Sequence, residues 1–290
     1  MDIGAVLITA GCGSVPAMLC GGITVAQRMI ASLQKAGVSM IAVVTDSEGK
    51  KLEKQLSQPG VFFFRNDTPE QEDASVQMGL RYLADKCERV FLLKADRPLI
   101  DPDTLLKMLE LDDPLVIPVL NGKQGQPWLL KAPYPEIRGF DTDFVSGFTA
   151  LTVDDPGILM TVAEAVSSKD SLSDHDRKLT RPVLDFAISR GKPLMDGKLI
   201  TLLRLIRETH SVRDACSRMQ ISYSSAWNLL NSAEDSLGYS LILRNKGGPS
   251  GSGSLLTEKG SALLTACEQF EAAAREKLEV LYRAYFRDII

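Results

Sequence analysis

Short apolar runs alternate with helical spacings through the first two thirds of this sequence. Ala5–Ile8, Ile41–Val44, Val61–Phe64, Val90–Leu93 and Leu115–Val119 are brief, rich in β-branched or aromatic residues, and bounded by turn formers. Such runs predict strands buried on both faces. Between them, Thr24–Ala36, Glu48–Leu56, Ser75–Asp85 and Asp103–Leu109 repeat apolar residues at helical intervals, and Gly37 is a natural stop for the first. This alternation predicts an α/β domain with a mostly parallel sheet and helices on both faces. Ligands of such sheets bind at the carboxyl ends of the strands.

The pattern changes after residue 165. Residues 166–196 are polar and punctuated by Ser, Asp, Gly and Pro, which predicts a linker. Within it, Pro182–Arg190 carries Val183, Phe186 and Ala187 on one face, enough for a short helix. His175, between Asp174 and Asp176, reads as a solvated loop histidine rather than a metal ligand. From Leu199 to Glu208 apolar and basic residues recur at helical spacing. Ser211 is placed to cap a second helix, Val212–Met219, and a break at 220–223 leads to a third, Ser222–Asp235. A short strand (Leu241–Leu243), a Gly/Ser-rich tip and a returning strand (Leu255–Leu256) follow. After Thr257 comes one long amphipathic helix, with Leu263, Cys267, Phe270, Ala274, Leu278, Leu281, Tyr285 and Ile289 stepping by three or four. The predicted division is an α/β domain at 1–165, a linker at 166–196, a compact helical domain with a hairpin at 197–260, and a terminal helix at 261–290.

Composition narrows the function classes. The chain has 290 residues, 44% hydrophobic and 24% charged, ordinary for a globular protein of two domains. No apolar run reaches the roughly 18 residues of a membrane span, and Asp2 stands where a signal peptide would carry positive charge. Five scattered cysteines with no CxxC pair suggest neither a zinc site nor a disulfide framework, so a cytoplasmic protein without membrane association is expected. The net charge of −4 is uneven: from Gly197 onward there are 12 Lys+Arg against 10 Asp+Glu, and before it 21 against 27. The back part therefore permits a nucleic-acid face.

Two loops at predicted strand ends carry candidate chemistry. Thr9–Ser14 (TAGCGS) follows the first strand. Its glycines would let backbone N–H groups approach a phosphate, with a plain tight turn as the alternative. Thr9, Ala10, Gly11 and Gly13 are thus candidate nucleotide-binding residues. Ala95–Leu99 (ADRPL) follows the fourth strand, and Asp96 there is placed to hold Mg²⁺ against phosphates, unless it caps the next helix. With these loops, residues 3–165 resemble the molybdenum-cofactor nucleotidyltransferases, the MobA-like guanylyl- and cytidylyltransferases. LITAGCGS is similar to their LAAGxGxR loop, LLKADRPLI to their GDxPxL segment, Gly125–Gln126–Pro127 to their GHP turn, and LTVDDP (151–156) to their late DxDxP segment. The resemblance implies a Rossmann-like fold, a bound CTP or GTP or a molybdopterin, magnesium at Asp96, and Asp154 or Asp155 as a second carboxylate. The sequence also departs from the family. VPAMLCGG follows Ser14 with no Lys or Arg before Arg28, Gln126 replaces a histidine, and EDASVQMGL replaces a Gly-rich helix entry. Losing the cation that grips a triphosphate removes on the order of 10²–10³ in rate.

The back part carries a different signature. A short helix, a tight turn and a second helix form a helix-turn-helix, whose second helix presents N-terminal polar side chains to the major groove. Ser222, Tyr223, Ser224, Ser225 and Asn228 are the candidates there. Arg244 and Lys246, beside the Gly-rich tip, are candidate phosphate contacts of a wing, with a mobile linker as the alternative reading. ISYSSAW, LILRNKGGPSGSGS and LLTEKG closely resemble the DNA-binding domain of the ModE-type molybdate-responsive regulators, a LysR-like winged helix-turn-helix. The resemblance implies double-stranded DNA as partner and a homodimer built by the long helix. With the chain ending at Ile290, no molybdate-binding β-barrel is expected. The reading that joins both halves is a DNA-binding transcriptional regulator linked to molybdenum-cofactor metabolism, with a degenerate transferase-like domain in front. The alternative is an active Mg²⁺-dependent cytidylyl- or guanylyltransferase with a DNA-binding appendage.

Overall fold

A computed structural model describes residues 3–137, 140, 147–190, 193–244 and 253–286. The chain divides into two compact units, Met1–Thr180 and Arg181–Ile290. In the front unit the elements run β1 (Ile3–Ile8), β2 (Leu19–Cys20), β3 (Ile23–Thr24), α1 (Val25–Lys35), β4 (Met40–Thr45), α2 (Lys50–Leu56), β5 (Val61–Arg65), α3 (Glu72–Leu83), β6 (Arg89–Lys94), α4 (Pro102–Leu109), β7 (Leu115–Leu120), β8 (Lys123–Gln124), β9 (Trp128–Lys131), β10 (Thr149–Thr152), α5 (Val162–Ser167) and α6 (Lys169–Leu179).

All five predicted strands and all four predicted helices of this unit are present. The sheet order is β10-β7-β9-β6-β1-β4-β5, with β8 paired to β7. β1 lies parallel to β4 and β6, β4 to β5, and β7 to β10; β9 runs antiparallel between β6 and β7. The strands are buried on both faces: Ala5, Val6, Leu7, Ala42, Val43, Val44, Phe91 and Leu92 have no exposed surface. Burying such runs at about 25 cal/mol per Å² of apolar surface is what drives the sheet's formation. α1 begins with a capping box between Thr24 and Gln27, and it turns Ala26, Met29, Ile30 and Leu33 inward. α3 packs closely on β1 at Gly79, where an added Cβ would overlap the Val6 side chain.

The polar stretch after 165 is not one linker. Its first part is α5 and α6, folded into the front unit. Ser168 caps α6, and His175 on that helix is only 4% exposed, so the solvated-loop reading of His175 is corrected. Its later part holds no helix over 182–190. Instead β11 (Ala187–Ser189) pairs antiparallel with β12 (Pro193–Asp196), because the segment satisfies its backbone through a partner strand rather than along its own axis.

The second unit continues with α7 (Gly197–Thr209), α8 (Val212–Met219), α9 (Tyr223–Leu237), β13 (Ile242–Arg244), β14 (Ser254–Leu256) and α10 (Glu258–Phe286). Asp196, Ser211 and Ser222 cap the three helices by accepting from Leu199, Asp214 and Ser225 N–H. Gln220, with φ 54°, ends α8 in the left-handed region, and three residues later α9 begins. The core is Leu199, Leu202, Leu203, Leu205 and Ile206 of α7 with Ala215, Ala226, Leu230, Leu241, Leu264 and Cys267. Arg204 and Arg207 both reach Glu268 of α10, at 3.0 and 2.9 Å. Gly260 starts α10 so close to the Leu241 carbonyl that no Cβ fits.

Candidate functional site

The front site lies at the carboxyl ends of β1 and β6. Thr9 and Ala10 continue from β1, but both donate their N–H to Val44 O, at 2.8 and 3.0 Å. The Thr9 hydroxyl donates to the same carbonyl at 3.0 Å. Gly11 N–H points to the Asp46 carboxylate at 3.3 Å, and Cys12 N–H returns to Thr9 O at 3.2 Å. Positive φ at Gly11 (73°) and Gly13 (57°) makes the turn. The amides of residues 9–12 are therefore engaged within the protein, and a carboxylate sits where an approaching phosphate would look for donors.

The segment after Ser14 forms a short helical turn and the β2–β3 hairpin, leaving Met18 44% and Leu19 68% exposed. Arg28, the first cation after the turn, is fully buried and committed. Its Nε and Nη2 donate to Cys20 O at 3.0 and 2.7 Å, and its Nη1 meets His175 Nδ1 at 3.1 Å and Asp176 at 2.5 Å. His175 Nε2 lies 3.0 Å from Ile100 O. Burial, more than any other influence, lowers the His175 pKa below its usual 6.5 despite the Ile100 bond, with the Arg28 charge acting in the same direction. Lys35 is also engaged, donating to Thr180 O at 2.6 Å. Neither cation reaches the turn as a phosphate clamp.

Asp96 stands two residues beyond β6. Burial raises its pKa above the usual carboxylate value, opposed by Arg97 and Lys94, and its Oδ1 is buried without a hydrogen-bond partner. Such an orphaned oxygen fits a bound cation. Beside it, Lys94 Nζ lies 2.7 Å from Glu72 Oε1. That oxygen has no aligned hydrogen bond, so the contact is one of charge. Glu72 Oε2 accepts from Phe140 N–H at 3.4 Å. Burial alone would lower the Lys94 pKa, but the close Glu72 carboxylate prevails and raises it. The Cys12 thiol feels Lys94, Asp96 and Glu72 together, and burial pushes it up to about 11. Gln126, in the place of the resembled histidine, accepts from Lys94 N–H at 2.8 Å.

The two late carboxylates differ. Asp154 is exposed. Asp155 is buried and fully used, accepting from Asp101 N–H, the Thr104 hydroxyl and Gly157 N–H at 3.0, 2.9 and 2.8 Å. Its role is to fasten the loop before α4. Among the described residues no group of three or more His, Cys, Asp or Glu side chains gathers as a metal cage. Sequence reasoning passed over Glu72, Lys94 and the Arg28–His175 cluster. The available signals were a Glu opening α3 and a Lys two residues ahead of Asp96.

In the second unit the amino-terminal end of α9 is open. Ser222, Tyr223, Ser224, Ser225 and Asn228 are all exposed, Tyr223 by 54%. Ser222 Oγ lies 3.0 and 2.7 Å from the Ser224 and Ser225 hydroxyls, and the Tyr223 ring meets Trp227 edge-on at 5.9 Å. Behind this face, buried Glu234 accepts from Leu241 and Ile242 N–H at 2.7 and 3.3 Å, fixing the start of β13. β13 and β14 pair antiparallel from Ile242–Leu256 to Arg244–Ser254. Lys246 and the hairpin tip lie outside the described residues, as does the Arg244 side chain. On α10 burial ends at Cys267; Phe270, Val280, Leu281, Tyr285 and Phe286 are 46–68% exposed. Among the described residues no helix is long and apolar enough to cross a membrane.

Residues 16–144 match the MobA-like NTP transferase domain family, and the front unit carries such a domain. Two curated relatives are similar to the chain over shorter stretches. "Transcriptional regulator ModE" of Haemophilus influenzae is 30% identical over 87 residues, 30% of this chain and 34% of the relative. "Molybdenum transport protein ModE" of Herbaspirillum seropedicae is 35% identical over 89 residues, 31% of this chain and 32% of the relative. The chain thus spans about a third of the length of these relatives. Among solved structures, a nucleotidyl transferase from Methanothermobacter is similar at 22% identity, covering 61% of this chain and 98% of its own, with a TM-score of 0.48.

Proposed function

We propose that this chain is a sequence-specific, cytoplasmic DNA-binding transcriptional regulator linked to molybdenum or molybdenum-cofactor metabolism. In this reading the front unit retains a ligand pocket for a nucleotide or molybdopterin but not the transfer reaction. The observation that carries it is the open amino-terminal end of α9, set behind α8 by a three-residue turn and followed by a hairpin. That is the geometry by which a winged helix-turn-helix lays polar side chains against base edges in the major groove. Tyr223, Ser224 and Asn228 then face the bases, and Ser222, Ser225, Arg244 and Lys246 the backbone. The names of the two curated relatives support the regulatory and molybdenum assignments.

α10 supports a homodimer. At about 1.5 Å per residue its 29 residues extend roughly 43 Å, and its apolar stripe is uncovered beyond the third turn. A second copy would cover it and bring two α9 helices to half-sites about 34 Å apart. The front unit lacks what a triphosphate transition state needs. Residues 15–19 are apolar, the amides of residues 9–12 are spent, and Arg28 is locked in its cluster.

The second reading, an active nucleotidyltransferase with a DNA-binding appendage, is favoured by one observation, the orphaned Asp96 oxygen. Asp96 would hold Mg²⁺, which would offset phosphate charge. Selection of bound duplexes from a random-sequence pool tests the primary reading. A recurring two-fold sequence is expected, with Asn228→Ala losing discrimination at one base pair per half-site. Binding of every sequence alike by the unaltered protein would refute it.

A further inference from the structure

We infer that Lys94 is the anion contact of the front site, that it holds a single phosphate group, and that Glu72 is a displaceable counter-ion which sets the affinity. The inference deepens the reading of the front unit as a pocket without a triphosphate clamp and rests on it. Lys94 closes β6 at the carboxyl end of the sheet, where its charge acts on Cys12 of the Gly11–Gly13 turn and on Asp96. The Lys94 and Glu72 side chains are each one-third exposed, and their charged atoms lie 2.7 Å apart. The Glu72 oxygen in that contact is itself shielded from solvent and lacks an aligned hydrogen bond, so the pair is held by charge, while the rest of each side chain stays open to exchange partners. An incoming phosphate oxygen offers Lys94 the same charge with freer geometry.

The surroundings limit how much anion the site accepts. Asp46 occupies Gly11 N–H, and Thr9, Ala10 and Cys12 are bonded within the fold. Glu72, Asp96 and Asp46 therefore face the turn, against Lys94 and Arg97. A triphosphate meets this array with too few cations and with the amides of residues 9–12 already bonded, whereas a phosphomonoester needs Lys94 alone. The ligand class is a singly phosphorylated small molecule, of which a nucleoside monophosphate and a phosphorylated pterin are two members.

Calorimetric titration of the full chain tests this, with CMP, cytidine, inorganic phosphate, and CTP with and without Mg²⁺ as probes. Unaltered protein should bind CMP more tightly than Mg-CTP and should not bind cytidine. Glu72→Gln should tighten CMP and phosphate about tenfold, Lys94→Met should abolish both, and Lys94→Arg should restore them. Unchanged affinity in Glu72→Gln, or CMP binding that survives Lys94→Met, would overturn the assignment. Absence of anion binding by every variant would overturn it too, leaving the loss of the triphosphate clamp intact. Mg-CTP binding tenfold tighter than CMP would instead overturn the reading beneath it. Matching urea midpoints among the variants would show that each is folded.

Discussion

Arg28 is the first cation that chain order offers in place of a lost clamp, and its removal separates a structural strut from a ligand contact. Arg28→Met keeps most of the aliphatic stem and deletes the guanidinium. Two buried acceptors are then left short of donors: Cys20 O, which receives bonds at 3.0 and 2.7 Å, and His175 Nδ1, at 3.1 Å. Each such loss costs about 1–3 kcal/mol. Asp176 is 49% exposed and rehydrates, so its ion pair adds less than about 1 kcal/mol. Relief of the buried charge's own desolvation offsets part of this. The net expectation is a loss of about 2–4 kcal/mol in the front unit. At a urea dependence of about 2 kcal/mol per molar, the midpoint falls by about 1–2 M. Trp128, 1% exposed in the sheet, reports that transition in a Trp227→Phe background. A midpoint shift below about 0.3 M, or an unshifted midpoint together with lost binding of Mg-CTP, would refute the strut and restore Arg28 as a clamp.

His175 gives the same cluster a pH dependence. Its folded pKa lies below 6.5, so below that pH the unfolded chain binds the proton first. The His175 contribution is complete above about pH 6.5 and is lost as pH falls through the folded value. Urea midpoints from pH 7.5 to 5 should fall more steeply in the unaltered protein than in His175→Gln, and parallel slopes would contradict this. The difference between the two proteins cancels Asp96 and Asp155, whose raised pKa values act in the opposite direction. Glu234→Ala should strip two buried amides of their acceptor and destabilise the second unit by about 2–4 kcal/mol. Glu234→Gln should retain most of that stability, as read by Trp227 fluorescence with Trp128 replaced. Gly79→Ala should cost the front unit about 1–3 kcal/mol through overlap with Val6, and an unchanged melting curve would show that α3 shifts freely. The Cys12 thiol, pushed up to about 11, should react with iodoacetamide at pH 7 far more slowly than free cysteine.

The central strands were legible because a parallel sheet covered on both faces leaves unbroken apolar runs, as in Val6–Ile8 and Val90–Leu93. α8 and α9 were legible through their caps and the polar break between them. β9 was not, because its antiparallel pairing with β6 reaches across more than thirty residues, and WLLK (128–131) alone does not reveal its neighbours. α6 was hidden for a different reason. Its inward face is built from Leu172 and a neutral, buried His175, so KDSLSDHDRKL has too little apolar periodicity to stand out from a linker. The burial of Arg28 was hidden as well, because its partners Cys20 O, His175 and Asp176 are set by the fold and not by α1 alone. The front loops were located correctly by chain position, yet their availability was not legible, because whether a backbone amide is free depends on β4 and on Asp46.

The central claim is that the front unit kept a transferase fold without the transfer reaction while the second unit took on DNA. Pyrophosphate release from Mg-CTP and Mg-GTP in the presence of molybdopterin, beside an active MobA-like transferase, tests this most directly. The account predicts turnover at least a hundredfold below the reference enzyme, in keeping with a missing cationic clamp. Turnover comparable to the reference, abolished by Asp96→Ala, would contradict it.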